Sequence, residues 1–97
     1  MAYRIVLAPQ AVEDLRRLPA ATRAAVKDAL EVHLRHEPGK ASRSRIKRLR
    51  GLPRPNYRLC VDDTRVFYDL TETTVEVLAI VPKAEADSWL RQFGKAP

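Results

Sequence analysis

The N-terminal third of the chain carries one strand pattern followed by two helix patterns. Residues 3–7 read Tyr-Arg-Ile-Val-Leu, which favours a short strand, and Pro9 then stands where a proline suits the first turn of a helix. Apolar residues recur at helical spacing up to Pro19 and again over residues 20–36. The pattern predicts a strand followed by a hairpin of two helices.

From residue 57 onwards the apolar period changes to two. Three runs rich in β-branched and aromatic residues span residues 57–61, 64–70 and 74–81. A last amphipathic helix is expected to start near Pro82 and to stop at Gly94, and residues 45–49 suggest a short edge strand. We therefore predict one α+β domain over residues 1–97, with an N-terminal strand, a two-helix hairpin, an antiparallel sheet meander and a C-terminal helix.

A two-residue turn at residues 62–63 sets the register of the first hairpin of the meander. It places Cys60 opposite Arg65 and Arg58 opposite Phe67. Because side chains alternate along a strand, these four residues share one face. We expect that face to be turned away from the helical hairpin.

A second turn at residues 72–73 extends the same reasoning to the third run. The core under the helical hairpin is then expected to contain Leu59, Val66, Val75, Val77 and Ala79. The opposite face is expected to expose Phe67, Leu78 and Ile80. We expect this face to be covered by the last helix, by the basic loop or by another molecule, such as an acidic protein segment.

Composition narrows the class of protein. The chain has 97 residues, of which 45% are apolar and 31% charged, as in a soluble globular domain. No apolar run approaches the roughly 20 residues of a membrane span, and the N-terminus lacks a secretory h-region, so we expect a cytoplasmic protein. A single cysteine and two histidines predict neither a disulfide nor a metal site nor another cofactor.

The positive charge is concentrated in residues 35–58, here called the basic segment. The net charge of the chain is +6, and the basic segment holds nine Lys and Arg residues against the single acid Glu37. A solvated loop is one interpretation, but most of these cations are arginines, whose planar fork suits phosphate. Nucleic acid is the favoured partner and an acidic protein segment the second. The candidate RNA-binding residues are Arg43, Arg45, Lys47, Arg48, Arg50 and Arg54.

Arg58 and Arg65 are the candidates for contact with a reacting phosphate. They come from neighbouring strands and share a face, so their guanidinium groups can converge on one phosphate. The alternative is that they form ion pairs with Asp69 or Glu76 on the same face.

Other chemically interesting residues favour structural roles. Cys60 is interpreted as a small apolar residue, because no histidine lies near it in the pattern to activate a thiol. Trp89 lies on the apolar stripe of its helix and is expected to pack in the core. His33 and His36 fall near the end of a helix, where the dipole favours a partial positive charge.

Several motifs resemble the RelE/ParE superfamily of bacterial toxins from toxin-antitoxin operons, and more closely the RelE branch. They are Arg-Leu-Arg-Gly-Leu-Pro over residues 48–53, Tyr-Arg-Leu over 57–59, Arg-Val-Phe-Tyr over 65–68 and the last strand over 75–83. The likeness covers about residues 2–93, which is almost the whole chain.

The resemblance implies a function and a set of partners. Toxins of the RelE branch are ribosome-dependent endoribonucleases that cut messenger RNA and inhibit translation, and each is held inactive by a cognate antitoxin. The attributed reaction has the ribose 2′-OH attack the adjacent phosphate, which leaves a 2′,3′-cyclic phosphate and a 5′-OH end. It uses no metal and no small-molecule cofactor, so the implied partners are the ribosome, its messenger RNA and a small acidic antitoxin.

Two family positions match in this chain. Arg58 matches a basic residue on the first meander strand, and Arg65 matches the arginine of the next strand that stabilises the phosphate. Lys83 and Lys47 are candidate substitutes for the missing members, and Lys83 completes the candidate catalytic set with Arg58 and Arg65.

Three family positions depart from the pattern. Cys60 replaces a lysine, Ala84 replaces an arginine, and Leu90 or its neighbour Trp89 replaces a tyrosine. The chain is then an endoribonuclease with a displaced or ribosome-assisted site. The alternatives are a poison of DNA gyrase, as in the ParE branch, and a binding module that does not cut.

Overall fold

The computed structural model describes the backbone of residues 2–51 and 53–95 and places it in a five-stranded sheet with three α-helices. Leu52 of the family-like motif lies outside the described residues. The strands β1 to β5 span Arg4–Leu7, Ile46–Arg48, Tyr57–Val61, Thr64–Leu70 and Thr74–Pro82. The helices α1 to α3 span Pro9–Arg17, Ala20–Ala29 and Ala86–Lys95. Every helix in these ranges falls short of the length and apolarity that a membrane span requires.

The strand order in the sheet is β1-β5-β4-β3-β2. The predicted meander of β3, β4 and β5 is confirmed, as is the short edge strand β2 beside β3. The predicted N-terminal strand β1 joins the meander beside β5 and pairs with it in parallel, so the sheet as a whole is mixed. Tight turns force their flanking strands to run antiparallel, whereas a strand joined through helices is free to enter in either direction.

The helical hairpin of α1 and α2 packs on one face of the sheet, here called the hairpin face. Leu59, Val66 and Val77 are fully buried beneath it, as predicted. At one end of this face the Tyr68 hydroxyl donates a hydrogen bond of 2.6 Å to the Pro38 carbonyl, and this bond anchors the start of the loop that follows the hairpin. Burial raises the pKa of the Tyr68 hydroxyl, which therefore stays protonated.

The second helix ends differently from the prediction. The pattern indicates one helix to residue 36, but α2 ends at Ala29 and continues as a π-helical turn over Leu30–Leu34. Leu30 and Leu34 are buried in the core, while Val32 between them is 63% exposed. This turn carries His33 to the side of the molecule where the basic segment begins.

The first meander register is confirmed, but a β-bulge shifts the second. Arg58 pairs with Phe67, and Phe67 pairs with Ala79, whereas Tyr68 pairs with Val77, so Leu78 is an extra residue in β5. The extra residue reverses the alternation beyond it. Ile80 therefore lies on the hairpin face opposite Val66, and Ala79 lies on the other face, contrary to the prediction.

The three residues expected in the apolar patch are all buried, and the last helix is the cover that the structure shows for Phe67. Phe67 is covered by α3, whose Trp89 ring stacks on it at 4.8 Å and in turn stacks on Phe93 at 4.8 Å. Leu78 and Ile80 retain only 7% and 3% of their accessible surface. The face opposite the hairpin, here called the α3 face, is thus closed over its apolar part by α3, which begins after a 3₁₀ turn at Lys83–Glu85.

Asp14 ties α1 to the bulged strand. Its Oδ2 accepts a hydrogen bond of 3.0 Å from the Ile80 backbone N–H, which lies past the point where β1 ends beside Val77. The Asp14 side chain thus satisfies a strand-edge donor that β1 does not reach.

We expect Asp14→Ala to lower the free energy of unfolding by about 1–3 kcal/mol, because it leaves the Ile80 N–H without its charged acceptor. Urea denaturation measures the change. Glu13→Ala is the matched control, since Glu13 is exposed and Arg16 is its one ion-pair partner within residues 2–51 and 53–95. It is expected to cost less than about 1 kcal/mol. Equal effects of the two substitutions would contradict the role of Asp14.

Candidate nucleic-acid interface

Three basic side chains meet on the α3 face and are here called the cationic row: Lys47, Arg58 and Arg65. Lys47 lies directly opposite Arg58 across β2 and β3. Arg65 is the diagonal neighbour of Arg58 across β3 and β4, at a typical separation of about 7–8 Å between Cα atoms. The register of β3 and β4 predicts the arginine pair from sequence, whereas the position of Lys47 has no such signal, because the pairing of β2 depends on a long loop without a turn motif.

Both arginines of the row lack an acidic partner. Among the described residues, no carboxylate lies within 4 Å of Arg58 or Arg65. Arg58 Nε is shielded from solvent and finds no hydrogen-bond acceptor in the same part of the chain. Arg65 Nη1 donates to the carbonyls of Asp62 at 2.8 Å and Thr64 at 3.1 Å. Other donors of both guanidinium groups remain available to an anion.

Lys83 lies at the same end of the sheet as Arg65. Its backbone N–H donates a hydrogen bond of 2.7 Å to the Asp63 carbonyl, in the turn whose other residue, Asp62, holds the Arg65 guanidinium. The Lys83 side chain is exposed. The β3–β4 turn has a left-handed backbone at Asp62. It brings Arg65 and Lys83 to one end of the sheet, and Arg58 lies further along the same face as Arg65.

Arg54 has a different environment from the other predicted RNA-binding residues. Its Nε donates to Asp69 and its Nη2 donates to Glu76 at 3.1 Å. These two acids face each other across β4 and β5, so Arg54 neutralises their repulsion. The hydrogen bond to Asp69 raises the pKa of Arg54. Arg54 thus occupies both carboxylates, and the alternative that Arg58 or Arg65 pairs with them is wrong.

The four remaining candidate RNA-binding residues lie in and around β2. Arg43, Arg45, Arg48 and Arg50 are all exposed. Arg48 points to the other side of β2 from Lys47, with its guanidinium carbon 6.0 Å from the centre of the Tyr57 ring. The structure therefore places Lys47 in the cationic row and distributes the others around the neighbouring edge.

The row can bind and stabilise a phosphate but supplies no evident carboxylate or imidazole base. Guanidinium groups stay protonated, so their role is to hold negative charge. Cys60, at one departed family position, is half-buried directly opposite Arg65. Within residues 2–51 and 53–95, no three His, Cys, Asp or Glu side chains come together to hold a metal ion.

His33 behaves differently from the sequence expectation. The helix dipole favours its charged form, but partial burial and the nearby Arg45 charge lower the pKa of the imidazole, against a smaller opposing effect of Asp28. His33 is therefore mainly neutral near pH 7.

Comparison with known proteins gives a family match. A family model described as the ParE toxin of the type II toxin-antitoxin system parDE matches residues 5–87. No curated protein sequence matches the chain significantly.

Solved structures share the fold over nearly their whole length. The archaeal RelE–RelB complex from Pyrococcus horikoshii OT3 contains a chain with 26% identity and a TM-score of 0.70, covering 86% of this chain and 97% of that one. The toxin-antitoxin complex RelBE2 from Mycobacterium tuberculosis contains a chain with 25% identity and a TM-score of 0.73. The match covers 84% of this chain and 99% of that one. A mutant of E. coli RelE in the free state has 24% identity and a TM-score of 0.69, covering 94% of this chain and 93% of that one. These neighbours agree with the RelE branch expected from the motifs.

Proposed function

Because the chain belongs to the ParE toxin family of type II toxin-antitoxin systems, we propose that it is a RelE-like toxin that cuts messenger RNA on the ribosome. The observation that carries the proposal is the cationic row, in which two arginines have no acidic partner among the described residues and a lysine lies beside them. A row of this kind suits a phosphodiester.

In the proposed reaction, Arg58 and Arg65 hold the scissile phosphate. The ribose 2′-OH attacks phosphorus, the bond to the 5′-oxygen of the next nucleotide breaks, and the guanidinium groups stabilise the extra negative charge that develops. The departing oxygen takes a proton to become a 5′-OH, and Lys83 is the candidate donor near Arg65. The base that accepts the 2′-OH proton is supplied by the ribosome or by the substrate itself, or Lys47 takes this role, since arginine cannot accept the proton.

The proposed partners are the ribosome, its messenger RNA and an acidic antitoxin in the cytoplasm. The solved complexes from Pyrococcus horikoshii and Mycobacterium tuberculosis pair RelE-type chains with their antitoxins. An acidic segment laid across the cationic row or the basic segment would neutralise the same charges that RNA needs, which accounts for inhibition. Arg43, Arg45, Arg48 and Arg50 are proposed to grip the ribosomal RNA backbone, while Arg54 contributes mainly through its two ion pairs.

We expect the purified chain to break messenger RNA only when translating ribosomes are present. Primer extension locates the breaks, and a 5′-OH end is recognised because polynucleotide kinase labels it without prior phosphatase treatment. Naked messenger RNA and ribosomes carrying the toxin with its antitoxin are the controls. If messenger RNA stays intact on translating ribosomes although the added chain is folded, the proposal is contradicted.

A DNA gyrase poison is the second candidate, because the matching family model is that of ParE and three RelE-branch positions hold Cys60, Ala84 and Leu90. A gyrase supercoiling assay run with the same preparation separates the two. Inhibited supercoiling with intact messenger RNA would favour the gyrase activity, and the reverse result would favour the ribonuclease.

A further inference from the structure

A cleft of about 320 Å³ lies between the π-helical turn and the loop that leads into β2, on the opposite side of the edge strand from the cationic row. Its walls are formed by polar groups, by charged groups of both signs and by apolar residues, of which Val32 is the largest exposed one. They include Val32, His33, Lys40, Ser42, Ser44 and Arg45. We refer to it as the His33 cleft.

The free charge of the His33 cleft is positive. Lys40 is paired with the cleft acid Glu37 at 3.6 Å, whereas Arg45 has no carboxylate within 4 Å among the described residues. Ser42 Oγ accepts hydrogen bonds from the backbone N–H groups of Arg45 at 3.1 Å and Ile46 at 3.2 Å. Its own hydroxyl hydrogen is therefore available to donate to a ligand.

We propose that the His33 cleft binds a phosphate group of an RNA strand through Arg45, His33 and the Ser42 hydroxyl. Val32 supplies an apolar surface beside them for a ribose or base. This inference rests on the proposed function in one respect, namely that RNA is the ligand of the chain.

Continuity with the cationic row favours RNA over an acidic peptide as the occupant. Arg45 lies in the bend that precedes β2, and Lys47 lies within β2 two residues further along the chain. One faces the cleft and the other belongs to the row, so a single strand that crosses the short edge of β2 meets both. A flexible polyanion with a charge at every unit suits this path.

Binding in the cleft is coupled to a proton. Burial and Arg45 lower the pKa of His33, with Asp28 acting in the opposite sense, and Lys40 and Glu37 line the same cleft as a pair. A bound phosphate attracts the charged imidazole and raises its pKa towards or above the ordinary value. The complex therefore takes up a proton, and RNA affinity rises as the pH falls through the pKa of the bound state.

We expect the affinity for a fluorescein-labelled single-stranded RNA to rise as the pH is lowered from about 8 to about 5.5. The rise is expected to be about fivefold larger in the wild-type chain than in His33→Gln. Fluorescence anisotropy at constant ionic strength measures it. His36→Gln is the matched control, because His36 is the only other histidine and is exposed outside the cleft. In a second arm, NMR titration with inorganic phosphate is expected to raise the pKa of His33 and leave that of His36 unchanged.

Each outcome decides the inference. Equal pH dependence in wild type and His33→Gln, with equal unfolding midpoints, would overturn it, as would a phosphate titration that leaves His33 unchanged. A His33-dependent pH effect found with an acidic peptide and absent with RNA would overturn the choice of ligand. These assays contain no ribosome, so a chain that shows the His33 effect but leaves messenger RNA intact would refute the ribonuclease proposal alone.

Discussion

Arg65→Ala is expected to reduce messenger RNA cleavage on the ribosome by at least about 100-fold and to abolish growth arrest. The substitution removes one of two guanidinium groups that have no acidic partner in the described part of the chain and that are proposed to hold the phosphate. It also removes two hydrogen bonds to the carbonyls of Asp62 and Thr64, which should cost only about 1 kcal/mol of stability. Primer extension and colony counts after induction measure the loss.

Arg16→Ala is the matched control for Arg65→Ala. Arg16 is an exposed arginine on α1, where it pairs with Glu13 at 3.3 Å, on an element that packs against the hairpin face. Arg16→Ala should leave the rate of cleavage within about twofold of wild type, since surface substitutions away from a site have small effects.

Arg65→Lys keeps the positive charge and loses the planar guanidinium group with its paired donors, so partial cleavage activity is expected. Full toxicity of a folded Arg65→Ala variant would refute the assignment.

Phe67→Ala is expected to lower the free energy of unfolding by about 3–5 kcal/mol, a large part of the about 5–15 kcal/mol typical of a small domain. Phe67 is fully buried between the sheet and Trp89, so truncation opens a cavity and removes the contact that holds α3 in place. Urea denaturation followed by tryptophan fluorescence reports both the stability and the environment of Trp89.

Two further variants test this packing. Trp89→Ala removes the half-buried ring of the same stack and should cost less than Phe67→Ala. Val12→Ala removes an apolar side chain that is 40% exposed on α1 and should cost less than about 1 kcal/mol. A Phe67→Ala variant no less stable than Val12→Ala would show that α3 does not depend on this residue.

Local sequence signals predicted the first hairpin of the meander well. The two-residue turn before Thr64 leaves only one register, so Arg58 was correctly paired with Phe67. The bulge in β5 could not be predicted in the same way. Leu78 continues an apolar run, and nothing in that run distinguishes an extra residue from a paired one, so Ala79 and Ile80 were assigned to the wrong faces.

In the candidate site, too, local sequence features could be predicted and contacts between distant residues could not. The abundance of arginine in the basic segment is visible in the sequence, but the partner of each arginine is not. Arg54 pairs with Asp69 and Glu76 through a loop whose course has no periodic signal, and Lys47 reaches Arg58 through an edge strand of three residues. Charge composition therefore predicts an anionic ligand in general terms, while the three-dimensional pairing divides the cations into ion-paired and available groups.

The parallel pairing of β1 with β5 has a consequence for biosynthesis. Arg4 at the start of the chain pairs with Thr74 near its end, so the sheet cannot close until the last strand has left the ribosomal exit tunnel. The helix that covers Phe67 follows that strand and is translated later still. A nascent chain therefore lacks its complete sheet and the cover over Phe67 until both β5 and α3 have been synthesised.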